Sequence, residues 1–162
     1  MTTALHRGSE VVPIVHLLLL QADHILLLKR TNTGYNDGRY GLIAGHKEQN
    51  EKATDAVMRE AKEEAGITLQ ASDLNFAHVM HRLKEGQTDE RIDLFFAASN
   101  WNGNMTNIEP EKHGGLSFFP LDQLPDTTVP FIRVAIANFR QGQYFSEFLE
   151  EMTKPAEKKG SG

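Results

Sequence analysis

The order of elements in this sequence predicts an α/β domain built on a mixed sheet. Three observations carry that reading. Apolar, β-favouring runs lie on both sides of a central segment rich in Ala, Glu and Lys that lacks Gly and Pro. A second segment near the C-terminus is apolar at helical spacing. The composition, 40% hydrophobic and 24% charged over 162 residues, is that of an ordinary soluble domain and weighs against disorder or a coiled coil. One domain is expected over residues 1–152, followed by a Lys-, Gly- and Ser-rich tail at 153–162 expected to be disordered.

Taken in order, residues 1–10 are polar and unpatterned, a loose lead-in. Residues 11–20 and 24–30 are β-favouring runs separated by Gln21-Ala22-Asp23, which reads as a hairpin or two adjacent strands. Residues 31–39 hold Thr, Asn, Asp, Gly34 and Gly38, a loop by composition. Residues 40–43 make a short strand running into Gly45. Residues 51–65 give a helix of about four turns, and Gly66 stands where a left-handed glycine ends one. Residues 74–83 and 91–100 read as strands joined across Lys84-Glu85-Gly86-Gln87. Residues 101–115 form a long loop, with Asn and Gly near its start and Gly114-Gly115 at its end to let it move. A short strand at 116–119 follows. Pro120, Pro125 and Pro130 interrupt the chain, and Phe131, Val134, Ala135 and Phe139 predict a second helix at 131–140. There is no internal repeat.

Several function classes drop out on composition. The formal charge of −5 leaves no basic footprint for a nucleic acid polymer, while small anions remain acceptable if a metal bridges them. The absence of cysteine removes disulfide scaffolds, thiolate catalysis, iron–sulfur clusters and Cys-based zinc sites. The longest apolar run, residues 11–20, is too short for a bilayer span and lacks the flanks of a signal peptide, so a cytoplasmic protein without membrane contact is expected. Monomer and homodimer both stay open.

The chemistry concentrates in residues 45–67, GHKEQNEKATDAVMREAKEEAGI. On a wheel of roughly 100° per residue, Glu60, Glu63 and Glu64 share one face, continuing a stripe begun by Ala53, Ala56 and Val57. These carboxylates repel one another and lie in the last turns, where the helix dipole is already negative. Arg59 is placed to pair with Glu63 and Lys62 is near, but neither basic residue shares the three-Glu face. Oxygen ligands of this kind call for a hard cation, Mg²⁺ or Mn²⁺.

With Gly45, five residues, Glu51, seven residues and then Arg59-Glu60-Ala61-Lys62-Glu63-Glu64-Ala65-Gly66-Ile67, the segment resembles the Nudix box, G-x5-E-x7-R-E-U-x-E-E-x-G-U with U apolar, at every specified position. That resemblance implies an α/β/α sandwich with a mixed central sheet and hydrolysis of a nucleoside diphosphate linked to another group. It implies Glu60 and Glu64 as direct metal ligands, Glu63 as a direct or water-mediated one, and the Gly45 carbonyl as a further ligand. Glu51 and Arg59 are similar to the pair that braces the loop and orients those carboxylates. Two places differ from the common pattern: Ile43-Ala44 stand where Pro-Gly often precedes the box, and Asn50 where Gly is common. Asn tolerates a left-handed conformation at modest cost.

Residues 107–112, NIEPEK, resemble a segment of the MutT-type members that convert nucleoside triphosphates, oxidised ones included, to the monophosphate and pyrophosphate. In that subset a loop carboxylate adds a metal ligand or acts as base, which makes Glu111 the first candidate and Glu109 the second. Arg30 occupies the place of a basic residue that meets the substrate phosphate. The alternatives are an ADP-ribose, nucleotide-sugar or dinucleotide polyphosphate pyrophosphatase, and a catalytically silent nucleotide-sensing domain. His78 and His81, three apart on a strand, point to opposite faces and read as structural histidines. His113 reads as a loop residue, and Trp101, Phe118 and Phe119 as core aromatics.

Overall fold

The computed structural model describes residues 8–151. Its elements are β1 (Val11–Gln21), β2 (His24–Arg30), β3 (Tyr40–Gly41), β4 (Ile43–His46), α1 (Ala53–Ala65), a 3₁₀ turn (Ala71–Asp73), β5 (Asn75–Lys84), β6 (Glu90–Ala98), β7 (His113–Pro120), α2 (Pro130–Arg140) and β8 (Phe145–Glu150). The expected tail at 153–162 and residues 1–7 of the lead-in lie outside the described residues.

The strands run in the order β3-β2-β1-β6-β5-β8, with β4 added on β1 and β7 on β2. The sheet is mixed, since β1–β6 and β5–β8 are parallel and the other strand pairs antiparallel. Strand β1 divides its second edge between two partners. Ile14–Leu17 pair with β4, and only Leu20 and Gln21 pair with β2. The alternation of strand residues sorts the core into two layers. Val15, Leu17, Leu19, Phe96 and Ala98 face α1, packing on Ala56, Val57, Ala61 and Ala65. Leu18, Phe95, Ala97 and Met80 face α2, packing on Phe131, Ile132, Ala135 and Ile136. The result is an α/β/α sandwich around a mixed sheet.

Helix α1 begins at Ala53, two residues later than expected, and ends at Gly66, whose φ of 67° is left-handed. Asn50 adopts φ 61° in the turn before the helix. Two expectations are corrected. The strand at 40–43 is two strands, β3 on β2 and β4 on β1, because the chain changes partner between them. Gly114 and Gly115 are not the end of a free loop: they lie inside β7, with Gly115 opposite Lys29 and His113 opposite Arg30 across a bulge. Strand β8 had no sequence expectation. Its half-buried FSEFLE segment sits at the sheet edge and carries only a short alternation.

Candidate active site

The loop between β4 and α1 and the helix itself build the site. Gly45 lies opposite Val15 on β1, and the Glu60 carboxylate is packed directly against its α-carbon. A Cβ there would lie 1.9 Å from Glu60 Oε1, so glycine is required by close approach rather than by dihedral freedom. One turn on, Glu64 accepts a hydrogen bond from the Ala44 backbone N–H at 3.1 Å. Both carboxylates are buried, each 9% exposed, whereas the Glu63 side chain is 52% exposed at the rim.

Arg59 ties this arrangement together. Its Nε and Nη2 donate to the two oxygens of Glu51 at 2.8 and 3.1 Å, and Nη2 also donates to the His46 carbonyl at 3.1 Å. Its Nη1 donates to Glu60 Oε1 at 2.8 Å and to Glu63 Oε2 at 3.3 Å. The expectation that Arg59 stays off the three-Glu face is corrected here. The side chain is long enough to curl around the helix, so one guanidinium serves both the loop and the carboxylates. Glu51 in turn receives the Glu48 N–H at 2.8 Å, closing the loop on itself.

The electrostatics follow from burial. The Glu51 carboxyl is held down at about 2, chiefly by its bond from Arg59. Glu60 is pushed up to about 7, first by burial and then by the neighbouring charge of Glu64, with Arg59 acting in the opposite sense. Burial also raises Glu64, which the adjacent His113 partly offsets. Two inward carboxylates thus resist ionising together until positive charge arrives.

His113, expected as a loop residue, is the first residue of β7. The pairing of β7 with β2 draws it inside, 6% exposed, with Nε2 3.6 Å from Glu64 Oε1 and 3.5 Å from Glu109 Oε2. These separations exceed a hydrogen bond, and neither ring nitrogen has a hydrogen-bond partner. Ligand atoms of Glu64, Glu109 and His113 all lie within 4.8 Å of one another. Glu64 keeps its bond from Ala44 and Glu109 one from Lys112 Nζ at 3.1 Å, while the buried His113 nitrogens have no partner, so a divalent cation between the three groups fits the oxygen and nitrogen donors gathered here. Glu111, the first loop candidate in the sequence, is exposed and is not a member of this group; Asn32 binds only its backbone carbonyl. Two residues earlier, Glu109 is drawn in and half-buried because the turn at 109–113 closes on its carbonyl. Nothing in the sequence marks His113 or ranks Glu109 first, since both depend on how β7 is seated.

Arg30 sits at the end of β2 with Nε donating to the Tyr35 carbonyl at 2.9 Å. It borders a small cavity of about 40 Å³ on the α2 side of the sheet, together with Ala44 and Phe131. A wider cleft of about 830 Å³ shares Tyr35, Asn36 and Phe131 with this cavity. The histidines His78 and His81 are structural as expected. His78 bonds Gln143 O and Ser146 Oγ, both at 2.7 Å, and His81 bonds Glu90 at 2.6 Å. Trp101 stacks on Phe118 at 6.3 Å and Phe119 meets Tyr40 edge-on at 5.1 Å, both as core contacts.

A carboxylate-bearing helix fed by a glycine loop, on a sandwich of this kind, defines the class of Nudix-fold hydrolases. The family model described as the NUDIX domain matches residues 11–139, and the chain belongs to that family. No curated protein sequence matches at a significant level. Among solved structures, the chain is similar to a MutT NUDIX hydrolase from Burkholderia pseudomallei, with 26% identity and TM-score 0.73, covering 79% of this chain and 97% of the other. It is also similar in fold to a MutT protein from Methanosarcina mazei Go1, at 21% identity and TM-score 0.70, covering 83% and 96%. A structure titled UDP-X diphosphatase shares the fold at 17% identity and TM-score 0.61, covering 89% and 71%. This chain is a pyrophosphohydrolase, an enzyme of a family that generally depends on divalent metal and acts on small nucleotides. No helix among the described residues is long and apolar enough to cross a membrane.

Proposed function

We propose that the protein hydrolyses a nucleoside triphosphate, oxidised forms included, to the monophosphate and pyrophosphate with Mg²⁺ or Mn²⁺. The observation that carries this is the position of Ala44. Its N–H holds Glu64 on one side of β4, while the residue borders the small cavity that also meets Arg30 and Phe131. A nucleoside in the adjoining cleft of about 830 Å³, with the edge of its base at this small cavity, would direct its phosphates past Arg30 to the carboxylates. The MutT names of two structural relatives support the triphosphate reading.

On this reading Glu60, Glu64, Glu109, His113 and the Gly45 carbonyl would hold the cation, with Glu63 at the rim. When bound, it supplies charge neutralisation for the phosphates and acidifies water for attack on phosphorus. Arg59 and Glu51 keep Glu60 aimed and the loop closed. Glu109, nearest His113, is the candidate to take the proton from the attacking water, in place of Glu111. The UDP-X diphosphatase relative and the open cleft beside the cavity keep a nucleotide-sugar, ADP-ribose or dinucleotide polyphosphate substrate as the second reading.

The test is a turnover panel with Mg²⁺ or Mn²⁺ across nucleoside triphosphates, their oxidised forms, ADP-ribose, nucleotide sugars and dinucleotide polyphosphates. Pyrophosphate and a monophosphate as products support the proposal, and release of a sugar phosphate overturns it in favour of the second reading. Full turnover in excess chelator would remove the metal from the mechanism. A chain with no turnover on any member would be a nucleotide sensor.

A further inference from the structure

The small cavity against β4 contains groups for which the hydrolytic chemistry has no use. His16 lies buried on the α2-facing side of β1, stacked on Phe95 with centroids 4.5 Å apart and edge-on to Phe131 at 5.8 Å. Its Nε2 is 2.8 Å from Asp93 Oδ1. Arg82 donates to the same carboxylate twice, Nε to Oδ2 at 2.7 Å and Nη2 to Oδ1 at 3.0 Å. Its Nη1 donates to Glu150 Oε2 at 3.0 Å, and the Tyr35 hydroxyl donates to Glu150 Oε1 at 2.7 Å. A single hydrogen-bonded row therefore runs from β1 through β6, β5 and β8 to the loop at 31–39.

Asp93 as a carboxylate can only accept. In the neutral imidazole the proton accordingly sits on Nε2, and Nδ1 keeps its lone pair. That Nδ1 is buried and has no hydrogen-bond partner, and His16 borders the cavity. Asn36 borders it too, and its buried Nδ2 has no hydrogen-bond partner. Leaving a buried polar atom unmade is costly, and a core built only for stability would place apolar side chains here. One acceptor and one donor at the same cavity, beside the rings of Phe131 and Tyr35, complement the polar edge of a flat heterocycle.

We propose that His16 is a specificity-determining residue: its Nδ1 accepts a hydrogen bond from an N–H on the edge of the substrate's nucleobase, with the Asp93–Arg82–Glu150–Tyr35 row fixing the tautomer. The assignment rests on the nucleotide reading above and names the group that reads the base. Phe131 supplies the apolar wall, and Asn36 Nδ2 faces an acceptor on the same base. Because the row is anchored on four strands, the lone pair is held in place before the substrate arrives.

The test is binding of AMP, CMP, GMP and UMP, and of their counterparts methylated on the amino or ring nitrogen, to the metal-free protein by calorimetry. It is accompanied by the ¹⁵N signal of the His16 ring. The preferred monophosphate should shift the Nδ1 signal and leave Nε2 nearly unmoved, and methylation of its N–H should weaken binding roughly tenfold. His16→Gln keeps an amide N–H that can reach Asp93 but has nothing at the Nδ1 place. It should lose roughly tenfold for the parent base and no longer respond to the methyl group. His16→Asn, whose carbonyl oxygen comes near the Nδ1 place, should keep part of the preference. An unmoved Nδ1 signal, or a methyl penalty undiminished in His16→Gln, overturns the role of His16 while nucleotide binding itself persists. If none of the four monophosphates binds and no nucleoside triphosphate is turned over, the nucleotide reading fails and this assignment falls with it. Should His16→Gln not fold, the methyl series and the ¹⁵N signal on the wild-type protein still decide.

Discussion

Replacing Gly45 by alanine separates what this glycine does for the fold from what it does for the reaction. The added Cβ would stand 1.9 Å from Glu60 Oε1, 2.3 Å from its carboxyl carbon and 2.9 Å from Oε2. Ordinary contact begins near 3.5 Å, so the nearest oxygen must withdraw by about 1.5 Å. It can do so, because it ends a flexible side chain, although it must leave the 2.8 Å bond from Arg59. Gly45 is not among the positive-φ glycines, so alanine can adopt its backbone. The smaller entropy of the unfolded alanine chain is worth about 0.4–1 kcal/mol, which offsets much of the lost ion pair. The melting temperature should therefore move by less than roughly 5 °C. Displacing the Glu60 carboxylate, proposed above to hold the cation, by more than an ångström should cost about a hundredfold in kcat/KM. Thermal melts and steady-state turnover at saturating Mg²⁺ measure both quantities. Gly115→Ala is the control, since nothing lies within 4 Å of its would-be Cβ. Turnover within about twofold of wild type would show that Glu60 is not needed where it stands. Loss of folding would show that Gly45 serves the backbone alone.

Other outcomes follow from the same geometry. Glu60, held at about 7 against an ordinary 4.5, keeps in the folded state a proton that the unfolded chain has released, so its contribution to stability falls as pH rises through that window. Glu60→Gln should accordingly melt higher than metal-free wild type at about pH 8 and nearly level with it at about pH 5; equal differences at both would refute the cause. Glu109→Gln should lower kcat at least tenfold while Glu111→Gln stays within about twofold, and the reverse order in steady-state kinetics would return the role to Glu111. Asp93→Asn leaves Arg82 without its buried partner and should cost about 3 kcal/mol in urea unfolding at pH 7. Because the Asp93 carboxyl is held at about 2, below its ordinary 3.8, that stabilisation is present above about pH 4 and fades as pH falls through 2. A cost under about 1 kcal/mol would refute the buried pairing.

Legibility in the sequence divided along physical lines. The box residues could be read because their function depends on helix periodicity and on one close approach, both local in the chain. Glu60, Glu64 and Gly45 meet for that reason, and Arg59 misled only in the reach of its side chain. Glu109 and His113 could not be ranked, because their burial is decided by the pairing of β7 with β2, more than eighty residues away in the chain. The row from His16 to Tyr35 was hidden for the same reason: each member sits on a different strand or loop, and strand order is not written in any one segment. Strand β8 escaped because an edge strand with one face exposed needs little apolar patterning to be held by its neighbour.

The divided pairing of β1 has a consequence for how the molecule is made. Along one edge, β1 rests on β6 in parallel register from Val11 opposite Glu90 to Leu19 opposite Ala98. During synthesis, β1 leaves the ribosome with a run of five apolar or near-apolar side chains, His16 to Leu20, and waits for its central neighbour until nearly eighty further residues have followed. Parallel, long-range closure of this kind is slow, and an unpaired apolar strand is a template for other nascent chains. The exposure of β1 before β6 is made is thus a folding hazard that the finished enzyme, with the strand buried at its centre, no longer shows.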